Sequence, residues 1–423
     1  MNTQHNFLFL QGPHGPFFAQ LAAMLRAAGA DVHRVGFNAG DRVFWGRMPN
    51  YIPYRGAPAD WPDRLQEILH SRAITDIVIY GDTRPIHAQA VSAAKTAGIR
   101  VHVFEEGYLR PYWVTYERGG SNGHSELMGL QVAEMRERLA AGTTDIPTPP
   151  SHWGDMRQHI FYGALYHWFV MFWNRGYPQF KPHRALPIHR EALLYSKRLC
   201  LMPFLALSRI YATHKIKKAG YPFHIALLQL EHDASFRAHS SFDDMQAFLT
   251  LVIDGFVRGG PAHHHLVFKA HPLENGQSPL RKMIRELANA KGIADRVHYV
   301  RGGKLAGLLA QAHSAVTVNS TAGQQALWRG IPLRAFGTAV YSKPEFVSDQ
   351  HLPAFFANPT RPDADAYRHY RQFLLQTSQI PGGFYATKGR RQLKRQLVDK
   401  MLSTTGPYAS TQVPSSSTFK VVS

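Results

Sequence analysis

Twice along this chain, short apolar runs alternate with stretches whose apolar residues recur at helical spacing, and no other feature restricts the fold as much. In the first series strands are predicted at residues 7–10, 32–37, 76–80 and 99–104, with helices at 17–28, 63–70 and 86–97 between them. Gly29 follows the first helix, where a left-handed terminal residue is easiest for glycine. The second series has strands at 225–230, 265–269, 297–300, 315–318 and 331–335, separated by helices at 242–257, 280–290, 304–312 and 322–329. A strand followed by a helix of this length returns to the same sheet by a right-handed crossover, so each series specifies a parallel sheet. Such sheets bind ligands beyond the carboxyl ends of their strands. The predicted fold class is therefore α/β, with two Rossmann-like domains facing a central cleft.

Between the series, residues 151–220 differ in character. The whole chain has 48 Lys and Arg against 29 Asp and Glu, a net charge of +19. This segment alone holds 11 Lys and Arg against only Asp155 and Glu191, nearly half of the excess. Its run of Phe161, Tyr162, Tyr166, Trp168, Phe169, Phe172 and Trp173, followed by Arg175, Lys181 and Arg184, suits an element lying at a membrane interface. A helix packed between domains is the other reading, and periodicity does not separate the two. At residues 160–173 the apolar stretch is too short to span a bilayer, and the N-terminal run at 7–10 is too short for a signal peptide. The single cysteine, Cys200, excludes an intramolecular disulfide framework and any Cys-based zinc site. Expected boundaries are 1–150 for an N-terminal domain, 151–220 for a basic aromatic linker, 221–402 for a C-terminal domain and 403–423 for a disordered tail rich in Ser, Thr and Pro. The excess charge points to nucleic acid, an anionic membrane surface or an acidic substrate, and no nucleic-acid reader motif accompanies it.

Chemistry is expected in the loops after strands. Gly12-Pro13-His14-Gly15-Pro16 joins a strand to a helix, where backbone N–H groups can receive an anion, although a plain tight turn also accounts for it. It is neither a Walker loop nor a dinucleotide fingerprint. Tyr80-Gly81-Asp82-Thr83-Arg84 and Phe104-Glu105-Glu106-Gly107-Tyr108-Leu109-Arg110-Pro111 also follow strands. Two adjacent acids at the end of a buried strand are costly unless they are used or paired, for instance with Arg84 or Arg110. In the second series Gln229-Leu230-Glu231-His232-Asp233, Lys269-Ala270-His271-Pro272 and Asn319-Ser320-Thr321-Ala322-Gly323 close three strands of one sheet. Taken singly, Ser320 reads as a helix cap and His271 as a loop residue. Together they offer a fixed cation, an imidazole, hydroxyls and first-turn N–H groups, which suits a phosphate-bearing nucleotide. His263-His264-His265 does not easily hold one metal ion, because adjacent strand residues point to opposite faces.

In this order, Phe9-Leu10-Gln11-Gly12-Pro13-His14-Gly15, Phe37-Asn38-Ala39-Gly40-Asp41 and the strand-end motifs at Tyr80, Phe104, Lys269 and Asn319 resemble the capsular polysaccharide β-Kdo transferases of Gram-negative bacteria, of the KpsS/LipB type. The match runs from about Phe7 to Tyr341. The resemblance implies a GT-B-like enzyme at the cytoplasmic face of the inner membrane. Such an enzyme transfers Kdo from CMP-Kdo to a lysophosphatidylglycerol anchor to build a poly-Kdo linker. The first domain would then be the acceptor side and the second the nucleotide-sugar side.

Carried over, Lys269, His271, Pro272, Ser320 and Thr321 would hold the CMP phosphate, with Gln229 also on the donor side. Gly12, His14, Arg84 and Arg110 would line the acceptor side. A retained configuration implies double displacement, with Asp233 as nucleophile and Glu106, or in its place Glu105, as acid/base. Ala234-Ser235-Phe236 departs from the glutamine expected shortly after that aspartate. No cofactor or metal is implied, because His271, Lys269 and a helix N-terminus can stabilise the departing phosphate. A CDP-polyol phosphotransferase of the teichoic-acid type, or a non-catalytic capsule assembly or export component, are the competing readings.

Overall fold

Two sheets organise the chain. The computed structural model describes residues 5–111, 113–140, 156–181, 188–230, 234–272, 274 and 278–409. Its strands are β1 (Asn6–Phe9), β2 (Asp31–Gly36), β3 (Tyr51–Pro53), β4 (Asp76–Tyr80), β5 (Arg100–Glu106) and β6 (Trp113–Arg118), then β7 (Phe223–Leu227), β8 (His265–Lys269), β9 (Val297–Val300), β10 (Ala312–Thr317), β11 (Leu333–Ala335) and β12 (Gln379–Pro381). The first sheet has the order β12-β6-β5-β4-β1-β2-β3, and the second β11-β10-β7-β8-β9. The second is parallel throughout, whereas β6 and β12 add an antiparallel edge to the first.

Side-chain alternation explains why both faces of each sheet are covered. In β1, Phe7 and Phe9 join the helix Phe17–Ala27 on one face, while Leu8 pairs with Trp61, Leu65 and Ile68 on the other. In β7, Ile225 and Leu227 enter one cluster and Ala226 enters another. Strands buried on both faces must be apolar at nearly every position, as these are.

Several elements depart from the sequence expectation. The aromatic loop after β2 contains a helix, Ala39–Trp45, whose cap is Asn38 accepting from the Asp41 N–H at 3.0 Å. After β5 the chain doubles back at Gly107 into β6, and a Cβ on Gly107 would lie 2.1 Å from the Trp113 carbonyl oxygen. The helices expected at 304–312 and 322–329 shorten to Ala306–Leu309 and Gly323–Leu327.

The expected extent of the C-terminal domain, 221–402, is also revised. β12 pairs with β6 of the first sheet, and the helix Thr387–Leu402 packs there as well. Ile380, Phe384, Leu393, Leu397 and Met401 complete the cluster around Phe17, Phe104 and Val114, which β6 would otherwise leave open. Basic residues on this helix are not simply a solvated face: Lys394 Nζ donates to Gln20 Oε1 at 2.9 Å, and buried Arg390 donates to the Tyr385 carbonyl. Residues 403–409, expected to belong to a disordered tail, are ordered enough to bury Tyr408; residues 410–423 lie outside the described residues.

The basic segment supplies two helices, Met156–Phe172 and Ile188–Ala219. The first keeps one side on the first unit. Its Tyr166 hydroxyl donates to Asp41 Oδ1 at 3.2 Å and accepts from Asn38 Nδ2 at 2.6 Å, and a Cβ on Gly40 would meet the Tyr166 ring at 2.5 Å. Its other side exposes Ile160, Phe161, Trp168 and Phe172. The helix thus packs on the first unit along one side only.

The two units share a core. Tyr108, Leu127, Leu130 and Met135 of the first belong to one cluster with Leu327, Leu333, Tyr341 and Tyr367 of the second. Gln324 Nε2 donates to the Tyr108 carbonyl at 3.0 Å, and buried Lys343 caps the carbonyls of Leu127 and Leu130 at 2.7 Å. Tyr108 follows β5 and Gln324 follows β10, so the carboxyl edges of the two sheets face each other.

At this junction Glu117 is fully buried and accepts from Tyr108 (3.0 Å), Ser125 (2.8 Å) and Tyr408. Burial raises its carboxyl from the ordinary 4.5 to about 7, against the opposing pull of those hydroxyls. The folded chain therefore holds this proton where the unfolded chain has released it, and the stability this group contributes declines as pH rises from 4.5 to about 7. Glu117→Gln should flatten that decline by about 3 kcal/mol, read from urea denaturation at a series of pH values.

Candidate functional site

Register places the second-unit motifs at one edge. Leu227 of β7 lies beside Lys269 of β8 and Thr317 of β10, so Gln229, Lys269–His271 and Asn319–Ser320 emerge together. Gln229 and Asn319 hold each other: Gln229 Nε2 donates to Asn319 Oδ1 at 2.7 Å, and the Asn319 N–H returns a bond to Gln229 Oε1 at 3.0 Å. Asn319 Nδ2 also donates to the His239 carbonyl at 3.0 Å. Ser320 Oγ accepts from the Ala322 N–H at 3.2 Å, and the Ser320 carbonyl accepts from Tyr341 at 2.6 Å. Thr321 and His271 are half-buried and Pro272 is exposed.

Lys269 is buried, and its ammonium donates to the carbonyls of Ala270 (3.2 Å) and Gly302. Burial and, secondarily, Arg209 lower it to about 8, so it stays mostly charged at neutral pH. The helix after Asn319 has five residues, fewer than expected, so its macrodipole is small and the Ser320 turn supplies most of the local order. Asp233 lies outside the described residues, as do Glu231 and His232.

Across the cleft, Glu105 and Glu106 end β5 half-buried. Glu106 Oε1 accepts from the Tyr80 hydroxyl at 3.3 Å, and Glu105 Oε1 accepts from the Glu106 N–H at 3.3 Å. The Tyr80 phenol is held well above its ordinary range by burial, then by Tyr385 and Glu106, so it acts as a donor to the carboxylate. The Arg84 guanidinium lies 5.6 Å from the Tyr80 ring centroid. Exposed Arg110 turns its Nε to the Gly107 carbonyl at 3.2 Å.

Gly12 and His14 have a structural explanation of their own. A Cβ on Gly12 would sit 2.5 Å from the Phe18 ring, and His14 stacks on Tyr166 at 4.4 Å between centroids. The first loop is therefore covered by the helix Met156–Phe172. The histidine triplet is split as expected: His264 meets His224 at 2.9 Å and His265 meets His298 at 2.9 Å.

Two residues at the cleft were not singled out from sequence, His124 and His239. Both approach Asp82, and the three come from separate stretches of chain. Only Asp82 stood inside a recognisable motif.

A family pattern described as capsule polysaccharide biosynthesis protein matches residues 75–385, and the chain belongs to that family. It is 31% identical to the capsule polysaccharide export protein KpsS of Escherichia coli over 384 residues, covering 90% of this chain and 96% of that one. It is also 31% identical to the capsule polysaccharide modification protein LipB of Neisseria meningitidis over 395 residues, covering 91% and 93%. Among solved structures, Thermosulfurimonas dismutans KpsC, beta Kdo 2,7 transferase, aligns with 94% of this chain and 99% of its own at 12% identity and a TM-score of 0.44.

The Gln229–Asn319 pair makes a direct test of how the donor edge is held. Asn319→Ala leaves the Gln229 amide and the His239 carbonyl short of partners in a buried setting. It should lower stability by about 1–3 kcal/mol in chemical denaturation. Gln325→Ala, on the helix that follows Asn319 but outside the pair, should change it by less than about 0.5 kcal/mol.

Proposed function

We propose that this chain is a retaining glycosyltransferase that moves Kdo from CMP-Kdo to a lysophosphatidylglycerol anchor, beginning the poly-Kdo linker of a capsular polysaccharide. The observation that carries the reading is the convergence of Gln229, Lys269, His271 and Ser320 at one carboxyl edge, opposite the paired carboxylates of Glu105 and Glu106. Membership of a capsule biosynthesis family supports the pathway, and the ordered motifs supply the sugar.

In this reading the Asp233 carboxylate attacks C2 of Kdo, and the bond from C2 to the phosphate oxygen breaks as CMP leaves with the electron pair. Glu106, or Glu105 in its place, then takes the proton of the acceptor hydroxyl. That oxygen attacks C2 and expels Asp233, so two inversions conserve the β configuration. Lys269 exchanges a carbonyl for the leaving phosphate, aided by His271, Pro272, Ser320 and Thr321, and this step needs no metal. Arg84 and Arg110, with Gly12 and His14 behind them, line the acceptor side.

The lipid acceptor fits the exposed side of the helix Met156–Phe172. Phe161, Phe172 and Trp173 are more than half exposed, and Arg157, Arg175 and Lys181 of the same segment are exposed as well. Among the described residues no helix is long and apolar enough to cross a membrane. An exposed aromatic face in a segment rich in exposed cations suits peripheral binding to an anionic bilayer, at the inner face of the inner membrane in this reading, where capsule assembly proteins would also meet it. Each Lys or Arg near such a surface adds about 1 kcal/mol.

Purified chain incubated with CMP-Kdo and lysophosphatidylglycerol should yield a lipid heavier by Kdo in mass spectrometry, and Asp233→Ala or His271→Ala should abolish that product. An unchanged lipid mass refutes the reading, and a polyol phosphate increment from a CDP-polyol selects the phosphotransferase. Combining Phe161→Ser, Phe172→Ser and Trp173→Ser should release the chain from phosphatidylglycerol vesicles in sedimentation while leaving CMP binding intact.

A further inference from the structure

Asp82 follows β4 in the first unit, His124 lies in a short turn after β6, and His239 follows the helix Ala234–Ala238 in the second unit. One ligating atom from each lies within 4.8 Å of those of the other two. Asp82 is 3% exposed and His239 7%, whereas the His124 side chain is 60% exposed.

The polar atoms here are only half satisfied. Asp82 Oδ2 accepts from the Ser121 N–H at 2.8 Å and lies 3.1 Å from His124 Nδ1. Asp82 Oδ1 and His239 Nε2 are both buried and have no hydrogen-bond partner. Each such atom costs about 1–3 kcal/mol, and two at one place form a poor core but a good ligand set. His239 is also held firmly. A Cβ on Gly123 would lie 2.4 Å from its Nδ1, and its carbonyl accepts from Asn319 Nδ2 and from the Thr338 N–H at 2.8 Å.

We propose that Asp82, His124 and His239 bind a divalent transition metal ion, zinc by ligand type, that ties the first unit to the donor-edge loops of the second. Two imidazoles and one carboxylate suit zinc and its neighbours, whereas magnesium and calcium prefer all-oxygen sites. Three protein ligands leave a fourth position for water or an anionic oxygen at the cleft. Bonds of about 2.0–2.2 Å put tetrahedral ligands about 3.3 Å apart, so the set must tighten by about 1–1.5 Å. The exposed ring of His124 is free to make that movement. The ion acts here as a clamp between units and takes no part in expelling CMP, so the site does not rest on the proposed transfer.

The test uses the full chain, stripped with chelator and titrated with zinc chloride by calorimetry, with cobalt(II) absorption as a second readout. One equivalent should bind, raise the melting temperature and give a cobalt spectrum of tetrahedral intensity. Because His124 is exposed, His124→Ala should fold normally and weaken binding by roughly a hundredfold. Asp82→Asn should do the same, and His263→Ala, in the surface histidine run, should change nothing. Binding far below one equivalent, or binding that survives both His124→Ala and Asp82→Asn, overturns the proposal. Loss of affinity in His263→Ala alone assigns the ion to the histidine run and overturns it equally.

Discussion

The shared hydrophobic cluster between the two sheets is the constraint on which the remaining geometry depends. A parallel sheet ends in loops that carry unpaired polar groups, and two such edges brought together must satisfy those groups or exclude them from the contact. Here Tyr108, Leu127 and Met135 meet Leu327, Tyr341 and Tyr367 in an apolar contact, and Gln324 and Lys343 satisfy the carbonyls at its border. The strand-end motifs are thereby left beside the contact, facing one another. Docking of this kind gives the carboxylates that end β5 a fixed relation to the carboxyl edge of the second sheet.

Charge is distributed in keeping with that arrangement. The cations that dominate the composition are not spread evenly, and the helix Met156–Phe172 carries aromatic residues between them. That helix is held by buried polar contacts as well as by packing. The Asn38–Asp41–Tyr166 set, with Arg34 at 3.3 Å from Asp41, locks it at a defined rotation. Its uncovered side therefore has a fixed direction relative to the first sheet.

Much of the fold was legible because parallel strands buried on both faces are uniformly apolar and stand out from helices. β4, β8 and β9 fall where their apolar runs end. β6 was missed because it follows a turn forced by Gly107 and its residues, Trp113–Arg118, mix polar and apolar types without a parallel-sheet run. β12 has three residues and draws its stability from partners far away in sequence, so no local signal marks it. The helix Ala39–Trp45 did carry one, the Asn38 cap three residues before Asp41. The convergence of Lys269, His271 and Ser320 at one sheet edge was legible because each ends or follows a strand of the same parallel sheet. His124 and His239 were not, because their proximity to Asp82 arises only when the two units dock.

The return of β12 to the first sheet has a consequence for how the chain is made. Synthesis delivers β1 to β6 first, but the partner of the β6 edge and the helix that covers Phe17 and Phe104 follow only after the whole second sheet. Until then Val114 and Tyr116 border an open edge, the kind of surface on which nascent chains mispair. The first unit to leave the ribosome is thus the last to be completed. The second sheet lies within it as an insertion.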